Sequence, residues 1–148
     1  TFTAESERQA PCPYAATLGR YLYEPNASIM KAGCFRTVAQ AYQLQKLSPN
    51  SHLYTSHELR NGFPGRTFLV EATSSLNRHE TKALLADIRQ ANISVRNFPL
   101  TADELRRRLK LRDGGDRYLF ATTLADGSHR LIRLYRIADT IANVVSPG

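Results

Sequence analysis

The chain has 148 residues, 42% apolar and 22% charged, which suits one ordinary domain or two very small ones packed together and excludes a disordered segment. Twenty Lys and Arg against thirteen Asp and Glu leave a net charge of +7, and sixteen of those cations are arginine. No apolar run approaches the ~20 residues that span a bilayer, and the first twenty residues, with Glu5, Glu7, Arg8 and Pro11, hold no apolar stretch of the kind a secretory leader needs.

Residues 1–18 are small and polar, broken by Pro11 and Pro13, and read as a lead-in or linker. The chain starts at Thr1 and its only methionine is Met30, which is the expectation for a fragment or a processed product. Arg20–Tyr23 gives a short strand stopped by Pro25. Asn26 is placed to cap a helix from about Ala27 to Gln45, with Ile29, Phe35, Val38, Ala41, Tyr42 and Leu44 along one face and Gly33 as a point of division. Ser48-Pro49-Asn50 is turn chemistry, and His52–Thr55 reads as a second short strand.

Asn61–Gly65 (NGFPG) is the strongest break, and the pattern beyond it is more regular. Thr67–Thr73 reads as a strand. Asn77, with Glu80 three residues later, opens a helix expected over 78–91, with Leu84, Leu85, Ile88 and Ala91 inward. Ile93–Phe98 alternates as a strand. Thr101 and Glu104 form a capping box for a helix to Lys110 that turns Leu105 and Leu109 inward. Gly114-Gly115 reads as a turn. Strands at Tyr118–Thr123 and Arg130–Arg136 follow, joined at Asp126-Gly127 as a hairpin. The order β-α-β-α-β-β over 67–137 predicts an α+β layered domain with helices on one face of a sheet.

Catalytic signatures are missing from this pattern. No GxGxxG follows a strand, and GxxxxGK[ST] and GxSxG are both absent. His52, His57, His79 and His129 are scattered without ligand spacing, so no metal is expected. Cys12 and Cys34 are not a CxxC pair. They read as reduced cytoplasmic thiols, with Cys34 a small, partly buried hydrophobe.

Charge is concentrated instead. Residues 106–117 hold six cations and two carboxylates, densest at Arg106-Arg107-Arg108-Leu109-Lys110-Leu111-Arg112. Guanidinium forks match the paired oxygens of phosphate, so a phosphate-tracking surface is one reading. A solvated helix end, favoured by the helix dipole, is the other. Tyr118, Tyr135 and Phe98 are candidates for base stacking only if exposed, and alternating strands more often bury them.

Taken together, YLYEPN (21–26), KAG (31–33), LSPN (47–50), LYTS (53–56), FPGR (63–66) and LRRRLKL (105–111) resemble the C-terminal region of class I SAM-dependent methyltransferase-like proteins of the Bacteroidetes type. The resemblance implies a lead-in at 1–18, a small ferredoxin-like domain at 19–62, a THUMP-like domain at 63–137 and a tail at 138–148. It implies a non-catalytic accessory module that holds a nucleic acid, RNA by expectation, for an upstream methyltransferase domain of the same protein. No cofactor is then expected in these residues, and S-adenosylmethionine belongs to the catalytic domain. The nucleic-acid contacts expected are Arg66, in the FPGR turn, with Arg106, Arg107, Arg108, Lys110 and Arg112. The competing expectation is a structural domain that packs on the methyltransferase core or mediates dimerisation.

Overall fold

The computed structural model describes residues 14, 15 and 18–137. Eleven elements follow in order: β1 (Tyr21–Pro25), α1 (Ala27–Ala32), α2 (Phe35–Tyr42), β2 (Gln45–Lys46), β3 (Tyr54–Ser56), β4 (Gly65–Ser74), α3 (Arg78–Leu84), β5 (Gln90–Arg96), α4 (Ala102–Leu109), β6 (Arg112–Thr123) and β7 (His129–Ile137). All seven strands join one sheet in the order β2-β3-β1-β4-β7-β6-β5, and only the β5–β6 pair is parallel.

The helix starts follow local chemistry. Asn26 Oδ1 accepts from the Ile29 amide at 3.0 Å, and Gly33 ends α1 at φ +68, so the segment expected as helix over 27–45 divides at Gly33 into two short helices. A left-handed residue at that position costs glycine nothing. At α4 the capping box is complete: the Glu104 amide donates to Thr101 Oγ1 and the Thr101 amide to Glu104 Oε1. At α3, Asn77 Oδ1 accepts from the amides of His79 and Glu80, but the Glu80 carboxylate reaches Ser75 rather than Asn77.

Two expectations are corrected. The helix from 78 stops at Leu84, not at 91, and Gln90 already pairs with Arg112 in the sheet. Leu85 and Ile88 still pack inward, but from the turn between α3 and β5. Gly114-Gly115 is not a free turn either. It lies inside β6, where Ala91 pairs with Asp113 and the next residue, Asn92, pairs with Tyr118. The intervening residues bulge out, with both glycines at positive φ, a backbone that side chains resist.

Cross-strand partners point to the same face of a sheet, so register assigns the faces. Leu22 pairs with Phe68 and Phe120 with Ile132. These four, with Leu134, Leu47, Leu53 and Ala15, make one core on the first face. Tyr21, Leu69, Tyr135 and Arg117 share the second face. On it α1 and α2 cover Tyr23 and Tyr54 at one end, while α3 and α4 cover Leu119, Ala121 and Leu131 at the other. Each large side chain here that is fully buried contributes about 1.5–3 kcal/mol.

Part of the expected lead-in belongs to this core. Ala15 is buried and its amide donates to the Lys46 carbonyl at 2.9 Å, and Leu18 packs on the first-face cluster. Cys34 is buried among α1, α2 and β3, as a small hydrophobe would be. The rest of the lead-in with Cys12, and the tail at 138–148, lie outside the described residues.

Candidate nucleic-acid interface

α4 presents its two sides to different surroundings. Leu105 is fully buried and Leu109 packs against the same cluster, so the intervening arginines are forced outward. Arg107 and Arg108 are exposed, as are Lys110 and Arg112 beyond the helix end. Lys110 is left-handed at φ 58. Its amide donates to the Arg107 carbonyl and the Leu111 amide to the Arg106 carbonyl, which turns the chain sharply into β6. The turn gathers four cations at one corner, where they also face the negative end of the helix dipole.

Arg106 differs from its neighbours. Its guanidinium donates to Asp103 Oδ1 at 2.8 Å, one helical turn back, and a third of its side chain is exposed. It is the least available of the expected contacts on this helix. Along the chain Arg89 is only one of several scattered cations. In the fold its carbonyl accepts from the Arg112 amide at 2.9 Å and its side chain is exposed, which brings a fifth cation to the corner. Strand pairing creates that neighbourhood, so no spacing along the chain could have signalled it.

Arg66 is not part of this group. It alternates with Phe68 on the first face, whereas α4 packs on the second. Its Nε donates to Glu24 Oε1 at 2.6 Å, and the guanidinium lies 5.3 Å from the Phe68 ring centroid and 5.5 Å from that of Tyr118. The hydrogen bond to Glu24 raises its pKa further. The sheet therefore separates Arg66 from the other expected contacts.

The aromatic candidates are engaged inside the fold. Tyr118 and Phe98 pack against core clusters, and Tyr135 lies under the Arg117 guanidinium, 3.6 Å from its ring centroid. Arg117 and Arg133 are themselves tied to carboxylates: both reach Glu71, and Arg133 grips Asp87 through two bonds of 2.6 and 3.0 Å. Among the described residues no group of three or more His, Cys, Asp or Glu is placed to hold a metal ion. No helix among them is long and apolar enough to cross a membrane.

Comparison with known proteins agrees with the fold. Residues 21–64 match a family described as a ferredoxin-like domain, and residues 65–136 match one described as THUMP domain-like. A crystal structure from Porphyromonas gingivalis W83, described as that of a candidate methyltransferase, is similar with a TM-score of 0.87 and 46% sequence identity. The likeness covers 93% of this chain and 34% of that one, so the chain spans about a third of the length of the solved relative. No curated protein matches the chain. One continuous seven-stranded sheet thus carries both matched regions, β1 to β3 in the first and β4 to β7 in the second. The chain carries a ferredoxin-like domain followed by a THUMP-like domain.

Proposed function

We propose that these residues are a non-catalytic, C-terminal accessory module of a SAM-dependent methyltransferase, and that they hold a structured RNA for the catalytic domain. The observation that carries the reading is the exposed corner of Arg107, Arg108, Lys110, Arg112 and Arg89, built on the THUMP-like region. Five cations on a rigid helix end and strand start can follow a phosphate backbone without reading its sequence. The 46% identical relative supports the methyltransferase context.

On this reading S-adenosylmethionine belongs to the catalytic domain, and the strand-to-helix junctions described support that reading. β1 passes to α1 through Asn26, β4 to α3 through Ser75–Asn77, and β5 to α4 through 97–101. None of these junctions contains glycine, so none offers the close backbone approach that a nucleoside-cofactor loop requires. The rival reading, a module that docks protein, requires apolar surface. Among the described residues the exposed large hydrophobics are Tyr14 and Met30, which do not make an extended face.

The test is binding of structured RNA by the full-length protein across a salt series. Affinity should fall steeply with salt, and Arg107→Glu with Arg108→Glu should weaken it at every salt concentration. No detectable binding at low salt by the unmodified protein would overturn the reading.

A further inference from the structure

A second basic site lies away from the α4 corner. At the junction of β1, α1 and β4 is an open hollow lined by Glu24, Asn26, Met30, Lys31, Arg66 and Arg96 among others. Its floor is unusual. The Glu24 side chain is 9% exposed, and its two oxygens are taken by two different guanidiniums, Arg66 on Oε1 at 2.6 Å and Arg96 on Oε2 at 2.5 Å. The carboxylate holds the two forks side by side while 32% and 37% of the arginine side chains stay exposed. Each guanidinium has five N–H donors; Glu24 takes one from each arginine, and Arg96 gives a second to the Val95 carbonyl at 2.9 Å. Lys31, exposed on the last turn of α1, adds an ammonium at the rim.

We propose that this hollow binds a phosphate monoester. Three cations less one carboxylate leave two positive charges there. That balances a monoester, at about −1.5 to −2 near neutral pH, better than a singly charged backbone diester. Two planar forks fixed by one buried anchor suit an oxyanion with several oxygens, and the ordering cost of the arginines has already been met by Glu24. The phosphate can come from the 5′ end of an RNA or from a free mononucleotide. Its arginines stand on the first face of the sheet, whereas α4 packs on the second, and the site stands or falls independently of RNA binding at the α4 corner.

The experiment follows the Arg66 and Arg96 side-chain Nε–H signals of the full-length protein by NMR. The probes are inorganic phosphate, AMP, and one short oligoribonucleotide carrying either a 5′-phosphate or a 5′-hydroxyl. Both arginine signals should shift on titration with inorganic phosphate. For an RNA-end site the phosphorylated oligonucleotide should bind about tenfold tighter than its hydroxyl twin. For a mononucleotide site AMP should bind while the twins stay equal, and the site stands in either case. Lys31→Glu, an exposed change that spares the Glu24 clamp, should weaken phosphate binding by about tenfold, as expected when one attractive charge becomes repulsive. Arginine signals unmoved by all three probes would overturn the proposal, as would phosphate binding unaffected by Lys31→Glu.

Discussion

Glu24 and Arg96 stand on strands separated by three others in the sheet, yet their side chains meet at 2.5 Å. In a flat sheet the four spacings between β1 and β5, each about 4.8 Å, would hold them roughly 19 Å apart. The sheet is therefore coiled until its first-face edges approach one another. Ser51 and Asn97 confirm the closure: Asn97 Nδ2 donates to Ser51 Oγ, which donates in turn to the Thr123 carbonyl at 2.6 Å. Glu24 joins β1 of the ferredoxin-like region to β4 and β5 of the THUMP-like one.

The clamp predicts a measurable cost for Glu24→Gln. Removing one partner from a buried charge cluster costs about 3–5 kcal/mol when the remaining charge stays buried. Arg66 and Arg96 are each about a third exposed and can turn to water, so the expected loss is about 2 kcal/mol. Urea unfolding followed by circular dichroism reads it directly. A change within about 0.5 kcal/mol would mean that the closure rests on apolar packing alone.

The three successive arginines should not behave alike. Arg106 is held by Asp103, whereas Arg107 and Arg108 are exposed, with no ion pair to a described carboxylate. Alanine at Arg107 or Arg108 should lower the slope of log affinity against log salt by about 0.9 for each phosphate left without its cation. Alanine at Arg106 should change that slope much less, because its counterion is Asp103. Equal slopes for all three variants would show that the ion pair does not decide availability.

Much of the local structure was legible because it is written in short-range chemistry. Asn26, Thr101 and the Asp126-Gly127 turn each act within a few residues, and the structure keeps all three. The failures share another cause. Leu85 and Ile88 continue the helical spacing of α3, but they satisfy the same core from a turn, so periodicity could not locate the helix end. Gly114-Gly115 has turn composition, and only the pairing of β5 with β6 makes it a bulge. At the candidate site the α4 arginines were visible as a run. The partnership of Arg66 with Glu24, 42 residues away, and the approach of Arg89 to Arg112 arise from sheet topology.

Lys110 separates stability from binding. It adopts the left-handed conformation that costs a side-chain-bearing residue about 1–2 kcal/mol and glycine little. Lys110→Gly should leave the unfolding midpoint unchanged or raise stability by about 0.5 kcal/mol, after the larger entropy of the unfolded chain is counted. The same substitution removes an exposed ammonium from the corner and should weaken RNA binding about threefold. A variant that loses stability, or keeps full affinity, would contradict the assignment of Lys110 as a contact at a strained helix end.

Acid should loosen the grip of Arg133 on Asp87. The hydrogen bonds from the Arg133 guanidinium are the main cause that pulls the Asp87 carboxyl from 3.8 down to about 2. Between those values the folded protein binds fewer protons than the unfolded chain, so stability rises with pH across that window. The contribution is complete above about pH 4 and is lost as the pH falls toward 2. Glu80, Glu104 and Asp126 are lowered as well, by Ser75, by Thr101 and by Ser128 respectively, so the unmodified protein has several such contributions. Asp87→Asn should therefore flatten the acid limb of the stability curve without abolishing it, and should leave Arg133 bonded to Glu71 and the Leu84 carbonyl. Urea midpoints measured from pH 5 to pH 2 decide the matter: parallel curves for the two proteins would show that the Arg133–Asp87 pair contributes nothing in solution.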